Sequence, residues 1–326
     1  IIVSYVGAKL IINSGGSTMG VGALSSMFTY GMQILSSLMM LSMIFVMITI
    51  SNASIQRICE VLTEESTIEN PENPKTDVPD GSIDFNGVSF KYHAGAEKYA
   101  LTDIDLHIKS GETIGIIGGT GSSKSSLIQL ISRLYDATEG EVLVGGSNVK
   151  DYDIEALRNS VSVVLQKNVL FSGTIKENLR WGDMNATDEE LVRVCKLAQA
   201  DEFINTLPDG YDTHIEQGGT NVSGGQKQRL CIARALLKKP KIIIFDDSTS
   251  AVDTKTDALI RNALATEIPD TTKIIIAQRI SSVQDADRIV VMEDGRINAV
   301  GTHDELLTSN EIYKEVYYSQ NKAGEE

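Results

Sequence analysis

Hydrophobic and polar residues are arranged in two different ways along this chain. Leu10 to Gln56 is a run of 47 residues without a charge, bounded by Lys9 and Arg57. A helix needs about 20 apolar residues to cross a bilayer, and a run without a polar stripe has no solvent face. The turn-forming residues Asn13-Ser-Gly-Gly-Ser-Thr-Met-Gly-Val-Gly22 interrupt it. The pattern predicts the end of one membrane helix at about 1–12, a loop, and a full helix at about 23–50. A buried core hairpin is the alternative. With no basic n-region and so long an apolar segment, a signal peptide is not expected. The chain opens on Ile1-Ile2-Val3, already apolar and without Met, so further membrane helices are expected ahead of it.

Beyond Arg57 the periods shorten. Ser66 to Gly81 is acidic and polar and holds three of the six prolines, which reads as a linker. From about Ser82, strand-length apolar runs alternate with helical ones. Strands are predicted at 113–117, 160–166, 241–246 and 273–278, and helices at 124–135, 187–207 and 224–239. Thr187 with Glu190 forms a capping box, and Pro240 stops the helix before it. Asp294-Gly295 turns a hairpin over 288–300. Such alternation predicts an α/β domain with a mainly parallel sheet. The expected division is a membrane segment at 1–65, a linker at 66–81 and the α/β domain at 82–326.

Composition narrows the functions. Lys plus Arg is 29 against 44 Asp plus Glu, a net charge of -15. That acid excess argues against a chain built to coat nucleic acid. Cys59, Cys195 and Cys231 lie far apart, which excludes a disulfide framework and a cysteine zinc site. Hydrophobic residues make up 42% of the chain, enough for a sizeable core.

Two segments carry chemistry. Gly118-Gly119-Thr120-Gly121-Ser122-Ser123-Lys124-Ser125-Ser126 stands between a predicted strand and a predicted helix. In that context Gly-rich backbone amides and a helix N-terminus converge on phosphate. Lys124 would reach the β- and γ-phosphates, and Ser125 would ligate magnesium. Ser123 departs from the pattern, which expects Gly there; a chance Gly/Ser turn is the alternative. Ile242-Ile-Ile-Phe-Asp246-Asp247 is an apolar strand ending in two carboxylates, a Walker B pattern. Ligands of α/β sheets bind at such strand ends. Asp246 would hold magnesium and Asp247 would sit beside the attacking water; a helix cap after a core strand is the alternative.

Val222-Ser223-Gly224-Gly225-Gln226-Lys-Gln-Arg229 opens a helix about 20 residues before that strand. It resembles the LSGGQ signature of ATP-binding cassette (ABC) proteins, with Val at the first position. The resemblance extends over about 82–320. It implies a P-loop NTPase cassette, a mainly parallel sheet plus a helical subdomain, that binds ATP and Mg2+. Tyr92 matches the aromatic that stacks on adenine, with a core tyrosine as the alternative. Gln166 matches the Q-loop glutamine, which senses magnesium and the γ-phosphate and couples to the membrane domain. Ser250-Ala-Val-Asp253 matches the D-loop. Ser223 to Gln226 would contact ATP held by another subunit. Residues 1–65 resemble the last helices of an all-α exporter membrane domain, with Asn52 to Leu62 as its cytoplasmic extension. The implied location is a multi-pass protein of the cell membrane with the ATP-binding domain in the cytoplasm. Its implied contacts are membrane lipid, a transported small molecule and a second half-transporter, with no nucleic acid.

Two departures fall on the chemistry. The family usually has Glu where this chain has Asp247, and His where it has Gln278. A misplaced carboxylate lowers rates on the order of 100-fold, and Gln brings no positive charge to the γ-phosphate. With Ser123, these resemble the degenerate site of heterodimeric multidrug-type exporters, in which one composite site hydrolyses poorly. The rival readings are a homodimeric exporter that tolerates Asp and Gln, a regulatory nucleotide-binding subunit, and a soluble cassette ATPase. The uncharged stretch weighs against the last.

Overall fold

The computed structural model describes residues 1–93, 95–247 and 252–322. The chain divides into two compact units, Ile1–Thr67 and Ile68–Glu326.

The first unit is two helices, α1 (Ile2–Ser14) and α2 (Val21–Leu62). Gly15 ends α1 in the left-handed conformation, at φ 59°, where glycine carries no Cβ penalty. Gly7 is the buried residue of α1, and a Cβ there would collide with Leu24 of α2. No residue of α2 is buried within the unit. An 18-residue window of α2 has a mean hydropathy of 2.2. Among the described residues α2 is the one helix long and apolar enough to cross a membrane.

The second unit has two packed sheets with helices outside them. Strands β1 (Ile83–Phe90), β2 (Leu101–Ile108), β4 (Glu139–Val144) and β5 (Ser147–Asn148) form an antiparallel sheet in the order β2-β1-β4-β5. The larger sheet takes β3 (Thr113–Gly118), β6 (Val161–Val164), β9 (Ile242–Asp246), β10 (Thr272–Ile276), β11 (Arg288–Glu293) and β12 (Arg296–Gly301). Its order is β12-β11-β3-β10-β9-β6, parallel except for the β11–β12 hairpin. β7 (Gly173–Thr174) and β8 (His214–Ile215) pair separately. Both faces of the larger sheet are buried, as parallel sheets require. Ile242, Ile244, Ile274 and Ile276 pack toward the antiparallel sheet. Ile243, Phe245 and Ile275 pack toward the helices.

Helix α3 (Lys124–Ile131) follows β3, and α4 (Ile154–Ser160) precedes β6. A helical layer follows: α5 (Ile175–Arg180), α6 (Asp188–Leu197), α7 (Asp201–Thr206) and α8 (Gly224–Leu237). Capping boxes open α5, α6 and α8, at Thr174, Thr187 and Ser223. Three further helices complete the unit: α9 (Thr254–Glu267), α10 (His303–Ser309) and α11 (Glu311–Lys322).

The single helix predicted over 187–207 is two helices, because Gln199 takes φ 55° between them. The helix predicted over 124–135 stops at Ile131, ahead of Arg133 at φ 49°. Residues 68–81 run along the second unit. Lys75 bridges Tyr152, the Asn70 side chain pairs with Asp153, and Val78 is buried.

Candidate nucleotide site

The phosphate loop is the turn from β3 into α3. Gly118 closes the strand where a Cβ would collide with the Met292 carbonyl and lie 2.6 Å from Ser122 Oγ. At Gly119 and Gly121 an added Cβ would meet nothing within 4 Å, so those two face open space. Gly121 takes φ 85° and Ser123 takes φ 67°. The second is the position where the sequence pattern expects Gly, and the backbone keeps the glycine conformation with a serine in it. Thr120 lies on the loop, and Ser126 is buried in the first turn of α3.

Lys124 folds back across the loop. Its ammonium donates to the carbonyls of Gly118 and Gly119, both at 2.9 Å, and to Ser122 Oγ at 3.2 Å. Burial pulls its pKa below the ordinary lysine value, and Asp246 and Asp247 oppose the shift. Ser125 Oγ donates to Asp246 Oδ2 at 3.4 Å, across from the end of β9. Burial raises the Asp246 pKa; Ser125 opposes that shift and the Asp247 carboxylate adds to it. A hydroxyl and a carboxylate brought together at the mouth of a phosphate loop are the oxygen donors magnesium uses.

Asp247 takes φ 48° immediately after β9, its N–H donating to the Ile276 carbonyl. Two amides converge on its Oδ2. Gln166 Nε2 donates at 2.9 Å and Gln278 Nε2 at 2.7 Å. Gln166 lies two residues past β6 and Gln278 two past β10; β6 and β10 flank β9 in the sheet. The three strand ends therefore place the three side chains together. Gln320 of α11 braces the Gln278 loop, donating to the Gln278 carbonyl at 2.7 Å and accepting from the Ile280 N–H at 3.0 Å. Sequence reasoning passes over Gln320, for no motif marks it.

Tyr92 stands before the loop, half-exposed at 43%. Its hydroxyl lies 2.7 Å from Ser126 Oγ, and its ring meets Tyr135 edge-on at 5.1 Å between centroids. Tyr135 is a second exposed aromatic that the sequence reading leaves out.

The signature residues open α8. Ser223 Oγ accepts from the Gln226 N–H, and Gln226 Oε1 accepts from the Ser223 N–H at 2.9 Å. Gly224 and Gly225 begin the helix with no Cβ over its N-terminus. Among the described residues, these four make no hydrogen bond to the phosphate-loop group. Of the D-loop, Ser250 and Ala251 lie outside the described residues; Asp253 caps α9 by accepting from the Thr256 N–H at 3.0 Å.

A family model described as ABC transporter matches residues 101–250. The chain is 43% identical over 307 residues to the ABC transporter ATP-binding protein YfiB of Bacillus subtilis (strain 168), covering 94% of this chain and 53% of that protein. It is 44% identical over 263 residues to a Staphylococcus aureus (strain NCTC 8325 / PS 47) protein named for multidrug export as an ATP-binding/permease protein, covering 80% of this chain and 45% of that one. Among solved structures, a bacterial Atm1-family ABC exporter with ATP bound matches at a TM-score of 0.78 and 31% identity, over 98% of this chain and 55% of that one. The chain thus spans about half the length of the relatives it matches.

Proposed function

Because the chain belongs to the ABC transporter family of ATP-binding/permease proteins, we propose that it is the ATP-binding part of an exporter subunit whose own phosphate-loop site hydrolyses ATP weakly. Lys124 and the open amides of 118–126 would hold the phosphates, and Tyr92 the adenine. Ser125 and Asp246 would hold magnesium, with Gln166 beside them; the ion supplies charge neutralisation on the phosphates. Ser223 to Gln226 would meet ATP held by a second half-transporter.

The observation that carries the weak-site reading is the double amide contact on Asp247 Oδ2. An oxygen that accepts two amides, on a side chain one methylene shorter than Glu, is poorly placed to orient a water. Gln278 is turned onto that carboxylate and has no charge to give the γ-phosphate. A site so arranged binds and closes more readily than it turns over. The partner would then be a different chain with an intact acid, completed by this chain's signature. Binding and closure would be coupled to efflux of a small molecule from a multi-pass membrane assembly.

The test is Mg2+-ATP hydrolysis by the full chain in detergent. Wild type is set beside the Asp247→Glu, Gln278→His double variant, with ATP binding measured in both. The expected result is equal binding and a rise in turnover on the order of 100-fold in the variant. Turnover by wild type equal to the variant overturns the weak-site reading and favours a homodimer.

A further inference from the structure

Behind the strand ends, α9 and the sheet enclose a cavity of about 280 Å3. Phe245, Leu264 and Ile275 give it apolar walls, and Lys273, Arg261 and Asp285 supply charged groups. Lys273 is out of keeping with its neighbours. It is the second residue of β10, paired with Ile243 of β9 and Thr113 of β3. It lies on the same sheet face as Ile275, the face packed toward the helices. It is only 4% exposed.

Its ammonium makes no hydrogen bond or ion pair among the described residues. The carboxylates around it are engaged elsewhere or stand off. Asp285 is held by Arg261 Nη1 at 2.8 Å, and Asp287 accepts from the Thr113 N–H at 2.8 Å. Asp270 and Asp287 act on Lys273 through space, while burial pulls its pKa below the ordinary value. Desolvation disfavours the charged lysine, and an anion bound beside it would favour that charge.

We propose that this cavity binds a small amphipathic carboxylate, with its apolar body between α9 and the sheet and its carboxylate on Lys273 Nζ. The volume of about 280 Å3 falls just below that of drug-sized ligand pockets, which run roughly 300–1,000 Å3; it fits a single ring or a short acyl chain. A fully polar anion would leave oxygens unpaired against the apolar walls. Phe245 directly precedes Asp246, and Ile275 stands three residues before Gln278. An occupant therefore bears on both strands that carry the site residues. This inference is independent of the weak-site reading.

The test titrates 4-phenylbutyrate into the full chain in detergent by calorimetry, with 4-phenylbutyramide as the uncharged analogue. Saturable one-to-one binding of the acid is expected, with at least about tenfold weaker binding of the amide, the size of a charged hydrogen bond. Lys273→Met is expected to lose at least about tenfold in affinity for the acid. No saturable binding to wild type, equal affinity for acid and amide, or a folded Lys273→Met with full affinity each overturns the proposal. The acid–amide comparison uses wild type alone, so it stands whether or not the variant folds.

Discussion

Ser123 carries a Cβ at φ 67°, a conformation that disfavours L-residues by roughly 1–2 kcal/mol. Glycine would escape that penalty and lose about 0.5–1 kcal/mol of it to chain entropy. Ser123→Gly is therefore expected to stabilise the cassette by about 0.5 kcal/mol. Ser123→Val, β-branched at the same φ, is expected to destabilise it by about 1–2 kcal/mol. Thermal unfolding of the nucleotide-free chain reads both; a more stable valine variant would show that the loop does not hold this conformation. The departure itself is legible in the sequence, because the motif names glycine there. Its strain is legible too, since the motif's glycine exists to supply the left-handed turn. The contact of Gln166 and Gln278 on Asp247 is not. Those residues are 81 and 31 positions from Asp247, and only the strand order brings them together.

Glu112 shows how one ion pair fastens neighbouring strands. It lies just before β3, and Arg288 begins β11 beside it. Arg288 Nη2 donates to Glu112 Oε2 at 2.9 Å, and Nε donates to Oε1. Burial pushes the Glu112 carboxyl up, but the hydrogen bonds from Arg288 and the Lys109 N–H outweigh it and leave the pKa below 4.5. A depressed folded pKa gives stability that is present above the unfolded value and lost as pH falls through the folded one. Glu112→Gln is expected to remove about 1 kcal/mol at pH 7, allowing for solvent at Arg288. The gap between wild type and variant should close below about pH 4.5. Denaturant melts at pH 7 and pH 4 check this; a gap that widened in acid would reverse the sign and refute it. At this scale helix starts are the readable feature: Thr187 and Glu190 form the capping box that the sequence announces. Helix ends are less readable. Gln199 and Arg133 take left-handed φ without being glycine, so no residue type marks the break at either place. The antiparallel sheet β2-β1-β4-β5 also escapes a reading based on strand–helix alternation, because β1 and β2 pair with no helix between them.

The whole chain joins an acidic α/β unit to a helix that has no polar face. At 1.5 Å per residue, the 42 residues of α2 reach about 63 Å, roughly twice the 30 Å of a hydrocarbon core. Its charges begin only at Arg57, so the C-terminal part is the portion suited to water. That asymmetry predicts where a new charge is tolerated. Met40 lies midway along the uncharged part, and an arginine there disfavours insertion by about 2.5–3.5 kcal/mol. Ile58 neighbours Arg57, and an arginine there is expected to change little. Met40→Arg should therefore reduce the fraction of chain kept in the membrane pellet after an alkaline carbonate wash, while Ile58→Arg should leave it as in wild type. Equal retention of the two variants would mean that α2 does not hold the chain in the bilayer, and the link from nucleotide site to membrane would have to run through another segment.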